Sequence, residues 1–297
     1  MTTGPWAGIC TVRTNNCAPP KAADETACAA CAAAAAASAG KPINLSNGNT
    51  YIIQTDVQVP GLGGGLSLTR TWNSRWPSTQ SVFIDKGMFG LNWRSTYEER
   101  VFVGTDGYIK YARGDGSFWS FGWSSSGSGQ NTYLVAAPNN AGATLVTGSS
   151  YWTLTSKDGE RRLFDNASGS LISIIDRNGN TTQLSYDGAH RLVTLTDPGS
   201  RHLYFTYASP SSYLVVSITS DFGVSLSYSY DAQGRLTQLT QMDGTTVSFE
   251  YNAQSLITAV KDSEGKLLES HTYDSLGRGL TSSRAGGVGS VTVTYSQ

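Results

Sequence analysis

The sequence predicts an all-β protein of short antiparallel hairpins stacked along one axis, and three observations lead there. Charged residues make up only 14% of the 297 positions, while 33 glycines, 15 tyrosines and runs of Ser, Thr and Asn point to many turns. Apolar and polar residues alternate with period two through the second half, as in half-buried strands. Aromatic residues also recur at near-constant spacing, the mark of a stacked repeat.

Residues 1–39 form a separate arm. All four cysteines, Cys10, Cys17, Cys28 and Cys31, fall in it, followed by an alanine tract from Ala32 to Ala37. Such clustering suggests disulfides, within or between copies, with free thiols or a zinc knot as alternatives. Only Cys28 and Cys31 have knuckle spacing, so no structural metal site is expected. Ala37-Ser38-Ala39 resembles a signal-peptidase site, but Asp24 and Glu25 precede it and a leucine-rich core is missing. Helix and extended arm both remain open for this stretch.

Residues 40–150 read as a β module rich in tryptophan. Trp72, Trp76, Trp93, Trp119 and Trp123 lie here, with Trp152 just beyond. They are expected to plug the end of the stacked hairpins and form its core. The second reading is stacking on sugar rings at Trp72, Trp76, Trp119 and Trp123. The glycine cluster Gly61 to Gly65 lacks a phosphate-binding fingerprint and reads as a bend.

Residues 151–297 form the repeat array. Phe164, Tyr186, Tyr207, Tyr230, Tyr251 and Tyr273 are separated by 22, 21, 23, 21 and 22 residues, subtracting successive numbers. A leucine follows each by five to seven positions: Leu171, Leu192, Leu214, Leu236, Leu256 and Leu280. The second strand of each unit places Leu203, Phe205 and Tyr207, or Leu226, Tyr228 and Tyr230, on one face. Turns fall at Asp, Asn and Gly, which take positive φ at lowest cost, so the Asp after each aromatic reads as a turn cap rather than a catalytic acid.

Tyr230-Asp231-Ala232-Gln233-Gly234-Arg235-Leu236 and Tyr273-Asp274-Ser275-Leu276-Gly277-Arg278 resemble the YD repeat of RHS proteins, Tc-toxin shells and teneurins. The repeat-defining positions are Tyr186, Asp187, Tyr207, Tyr230, Asp231, Gly234, Arg235, Tyr251, Tyr273, Asp274, Gly277 and Arg278. Gly40-Lys41-Pro42-Ile43-Asn44, Leu66 to Ser74, Phe89-Gly90-Leu91-Asn92-Trp93 and Asp115-Gly116-Ser117 are similar to the module that opens many bacterial RHS chains. The resemblance implies a YD-repeat β-sheet spiral in which stacked units can close into a shell around a toxin. Six units would give a sheet roughly 60 Å long, too short to enclose anything. The aspartate–proline–glycine core motif of the family does not follow Tyr273, so no released toxin domain is expected.

The search for chemistry finds little. His190, His202 and His271 form no metal or nucleophile motif and read as surface strand or turn residues. No catalytic, metal or cofactor residues are assigned, and an enzyme is not expected. A net charge of −1 argues against nucleic-acid partners, and no apolar run suffices for membrane insertion. Arg113-Gly114-Asp115 reads as chance, and the sequons at Asn44, Asn166 and Asn180 are a weak pattern in a polar protein that matters only if the export route glycosylates.

The resulting expectation is a non-catalytic structural protein, exported to the cell surface or beyond, that assembles head to tail into a homo-oligomeric filament or sheath. Open sheet edges motivate it, with Val291, Val293 and Tyr295 as the assembly edge. The alternatives are a glycan or cell-surface recognition module and a capping fragment of a larger toxin-encapsulating shell.

Overall fold

The computed structural model describes residues 38–39, 43–75, 86–138, 141–287 and 289–295. The four cysteines and Trp76 lie outside these, so the expectations placed on them find no structural answer.

Nineteen strands make one continuous antiparallel sheet that starts at Arg100–Val103, Ile109–Ala112 and Phe118–Gly127 and runs hairpin by hairpin to Val291–Thr292. Each strand pairs with the next in the chain, as the repeat pattern predicts. The ladder crosses position 150 without interruption, since Thr147 pairs with Trp152. Among the described residues no pairing joins Val291–Thr292 back to Arg100–Val103, so the strip is open. It nevertheless curls: Arg100 bridges Ser170, and the Val101 N–H donates to the Gly169 carbonyl at 2.9 Å.

Period-two alternation decides the faces. The strand His202–Tyr207 buries Leu203 and Phe205 while Tyr204 and Thr206 face solvent, and Ser225–Tyr230 does the same with Leu226 and Tyr228. Each such side chain contributes about 1.5–3 kcal/mol by burial. Every unit then carries one register shift at its tyrosine, between Ser185 and Tyr186, Thr206 and Tyr207, Ser229 and Tyr230, Glu250 and Tyr251, and Thr272 and Tyr273. A bulge bends its strand and increases local twist, so its repetition winds the strip. It also corrects the leucine register: the residues paired with Tyr207, Tyr251 and Tyr273 are Val215, Ile257 and Gly279, one position away from Leu214, Leu256 and Leu280.

The opening module is a separate three-stranded sheet of Tyr51–Val59, Leu66–Asn73 and Trp93–Ser95. The bend between its first two strands needs glycine at Gly65, with φ of +75°, where a Cβ would stand 2.0 Å from the Val59 carbonyl oxygen. The module lies along the buried face of the strip. Trp93 meets Phe249 edge-on at 5.3 Å between ring centres, Phe89 meets Tyr228 at 5.0 Å, and Trp72 meets Tyr273 at 6.4 Å. Trp72 and Trp93 are fully buried and form part of the core.

Candidate functional site

The repeat motif is a two-part clasp between consecutive hairpins. In the Asp231 turn, Oδ1 accepts the N–H groups of Gln233 and Arg235, at 3.0 and 2.9 Å, while Oδ2 accepts Arg235 Nε at 2.6 Å. Gly234 closes this turn at φ of +76°. The fixed guanidinium then lies over the Tyr251 ring of the next unit, 5.0 Å from its centre. Tyr251 in turn donates its hydroxyl to the Leu236 carbonyl at 2.7 Å. The same set recurs with Asp187, Arg191 and Tyr207, and with Asp274, Arg278 and Tyr295. Burial pushes the hydroxyls of Tyr186, Tyr207, Tyr251 and Tyr273 well above the usual tyrosine range, which keeps them neutral donors.

Where the motif departs, the clasp changes partner. Ala208 replaces the aspartate in its turn, and Arg191 Nη1 instead holds that loop through the Ser209 and Ser212 carbonyls at 2.9 and 2.8 Å. Asn252 caps its turn with Oδ1 but Leu256 stands where the arginine would be.

The module docks through the bulges. The N–H groups of Val215 and Gly279 donate to the Met88 and Gly48 carbonyls at 2.9 and 2.8 Å, while the register-equivalent Leu171 N–H donates at 3.1 Å to Glu99, beside the strip's own first strand. At the centre sits a buried charge. Arg70 pairs with Asp56 through Nε and, at 2.9 Å, through Nη2, and Nη2 also reaches Gln54 Oε1 at 3.2 Å. The guanidinium lies 4.7, 5.2 and 5.3 Å from the ring centres of Trp93, Phe89 and Tyr228. The Tyr228 hydroxyl donates to Asp56 at 2.7 Å, tying the repeat strip to the module. Burial works against the Arg70 charge, but the Asp56 carboxylate overrides it and holds its pKa above the ordinary arginine value.

Both halves of this arrangement match known sequence families. An RHS repeat model matches residues 166–202, 214–241 and 230–267, and a domain of unknown function (DUF6531) matches residues 40–121. Residues 166–267 thus carry RHS repeats. Among curated relatives, the chain is 29% identical over 214 residues to the tRNA nuclease WapA of Bacillus subtilis strain 168, covering 66% of this chain and 9% of that protein. It is 28% identical over 214 residues to the tRNA(Glu)-specific nuclease WapA of Bacillus subtilis subsp. natto, covering 66% of this chain and 8% of that one. The chain therefore spans about a tenth of the length of these relatives. Similar solved structures include TcdB2-TccC3, at 13% identity over 78% of this chain and 15% of that one, TM-score 0.30. The Photorhabdus luminescens Tc holotoxin pore matches at 12% identity over 65% of this chain and 11% of that one, TM-score 0.32. The relatives correct the expectation of a protein without enzymatic function: proteins that share a stretch similar to this one are named as tRNA nucleases.

The remaining candidate residues separate on burial. Trp72 is enclosed and cannot stack on a ligand, Trp119 is half-buried against Tyr111 and Arg113, and Trp123 is 38% exposed. Tyr295 is no free edge residue but the next clasp tyrosine after Tyr273, while Val291 pairs with Ser282 and the Val293 N–H donates to Leu280. His271 is buried rather than superficial, because it occupies an inward position of its strand directly opposite the buried Ser282. His190 closes a turn at φ of +57°, and His202 hydrogen-bonds Asp221 at 2.7 Å. Arg113 and Asp115 pair with each other at 3.0 Å inside their hairpin.

Sequence reasoning missed Arg70 and Asp56. A signal existed for Arg70, which shares the parity of Leu66, Leu68 and Trp72 and so faces inward. None existed for Asp56, because a bulge between Thr55 and Val57 changes the parity of its strand at that residue. Among the described residues no group of three His, Cys, Asp or Glu side chains is placed to hold a metal ion, and no helix is long and apolar enough to cross a membrane.

Proposed function

We propose that this chain is a scaffold section of a surface-displayed or secreted RHS toxin, in which the opening module forms the end wall of a β-spiral that serves a WapA-like nuclease. The observation that carries it is the docking of that module on the register-equivalent bulge amides of Val215 and Gly279, spread along the strip. Docking of this kind makes the wall part of the winding rather than a domain on a linker. The likeness to WapA, named a tRNA nuclease, supports the nuclease part of this reading.

Cryo-electron microscopy of the full gene product containing this sequence tests it. The module of Tyr51–Val59, Leu66–Asn73 and Trp93–Ser95 should seal one end of a hollow spiral that continues from the Val291–Thr292 edge. A module facing outward, or an outer edge at Val291 left unpaired, refutes the end-wall reading. Loss of RNA cleavage on deleting other regions of the same product tests the nuclease part separately.

A second reading, association between copies, is favoured by Val291–Thr292, which pairs on one side only among the described residues. The strip's own opening edge is already hydrogen-bonded at Glu99 and Val101, so a last strand adding directly to that edge meets an occupied partner. Two last strands meeting edge to edge would give a closed pair instead. Light scattering across concentration distinguishes monomer, pair and filament.

A further inference from the structure

We propose that Glu269 and His271, in the hairpin of Leu267–Tyr273 and Gly279–Arg284, form a buried site for zinc or a neighbouring first-row divalent ion. The inference rests on no part of the scaffold reading.

The first argument is position. Counting back two and four residues from the clasp tyrosines Tyr207, Tyr230 and Tyr251 gives Phe205 and Leu203, Tyr228 and Leu226, and Phe249 and Val247. All six lie in the core or pack against it. The same count from Tyr273 gives His271 and Glu269. Alternate residues of a strand share a face, so an imidazole and a carboxylate stand where the three preceding units bury aliphatic and aromatic side chains. Packing does not call for them, since apolar pairs serve that position in those units.

The second argument is geometry. With side chains 0% and 9% exposed, His271 Nε2 stands 3.5 Å from Glu269 Oε2. That is longer than the roughly 2.7–3.2 Å of an N–H···O hydrogen bond. Neither ring nitrogen of His271 has a hydrogen-bond partner among the described residues, although buried polar atoms are as a rule satisfied. Two ligands at about 2.0–2.1 Å from a tetrahedral zinc ion stand about 3.4 Å from each other. The separation of Nε2 and Oε2 matches that of two atoms sharing one ion.

The third argument is donor chemistry. Imidazole with carboxylate suits zinc and its neighbours, whereas magnesium and calcium take oxygen ligands. Two protein ligands leave further coordination positions open. The buried Ser282 lies directly opposite His271 across the hairpin and places a hydroxyl beside them. Ser282 pairs on its other side with Val291 of the last short strand, which itself pairs on one side only among the described residues. Local opening at that edge gives an ion its way in.

The test uses the full chain, reduced and alkylated at its four cysteines so that no thiol competes for the metal. Zinc titrated against a chromophoric chelator should show one bound ion per chain, which magnesium and calcium do not displace. His271→Ala and Glu269→Gln should each weaken binding about tenfold or more, the least that losing even an indirect partner of a metal costs. His202→Ala, whose ring pairs with Asp221 elsewhere on the strip, should leave it unchanged. Near-ultraviolet circular dichroism reports whether each variant is folded. The sequence has only three histidines, so nitrogen-15 NMR of the wild type identifies the metallated ring independently of any variant. Zinc should shift Nε2 of His271 and leave the rings of His190 and His202 in place. Absence of bound zinc overturns the proposal, as does zinc binding indifferent to His271→Ala, a His271 ring unmoved by bound zinc, or a preference for magnesium or calcium.

Discussion

Replacing Arg70 with methionine isolates the centre of the module-to-strip contact. The substitution keeps most of the side-chain volume and removes the charge. It strands Asp56, whose side chain is 1% exposed, with only the Tyr228 hydroxyl and no cation. Breaking a buried pair from one side costs about 3–5 kcal/mol, because the remaining carboxylate is desolvated without compensation. For a chain of this size each kcal/mol moves the thermal midpoint by about 2–4 °C, so the drop should be roughly 6–20 °C. Removing all the polar partners together, as Asp56→Leu/Arg70→Met/Tyr228→Phe, should recover most of it, since no buried charge is left alone. Urea unfolding of the wild type, the single and the triple variant measures this. A single variant within about 1 kcal/mol of wild type would refute the reasoning, and so would a triple variant no better than the single.

Three further outcomes follow from the clasp. Tyr251→Phe removes one hydroxyl from the Leu236 carbonyl and should cost about 1 kcal/mol in urea unfolding, whereas Tyr204→Phe on the outer face should cost nothing measurable. Alkaline titration followed by tyrosinate absorbance should show a late, cooperative set. The clasp tyrosines have raised folded values, so their contribution is complete below the unfolded value of about 10 and is lost as pH climbs through the folded ones, with ionisation and unfolding coinciding. In acid the sign reverses. Hydrogen bonds from Arg191 and from Asn180 hold Asp187 and Asp176 below the usual carboxylate range, so their contribution is present above about pH 4 and lost as pH falls through the folded values. Asp187→Asn should flatten that acid limb of the urea midpoint against pH, and an unaltered limb would count against the turn caps.

The period of aromatics, the Asp and Gly turns and the two-residue alternation are local features, and they determined the hairpins, their order and their buried face from sequence alone. Asp231, Gly234 and Arg235 announced themselves because a turn is satisfied within five residues. What those residues do for the next unit was not local: the stacking of Arg235 on Tyr251 and the reach of that hydroxyl to Leu236 depend on a bulge that no residue type specifies. The same reason hid Leu280, which looks like its unit's core leucine but is displaced by the bulge so that Gly279 takes the register. Only the tertiary structure brought Asp56, Arg70 and Tyr228 together across the chain, because a buried charge is tolerated where three distant segments supply its partner and its rings at once.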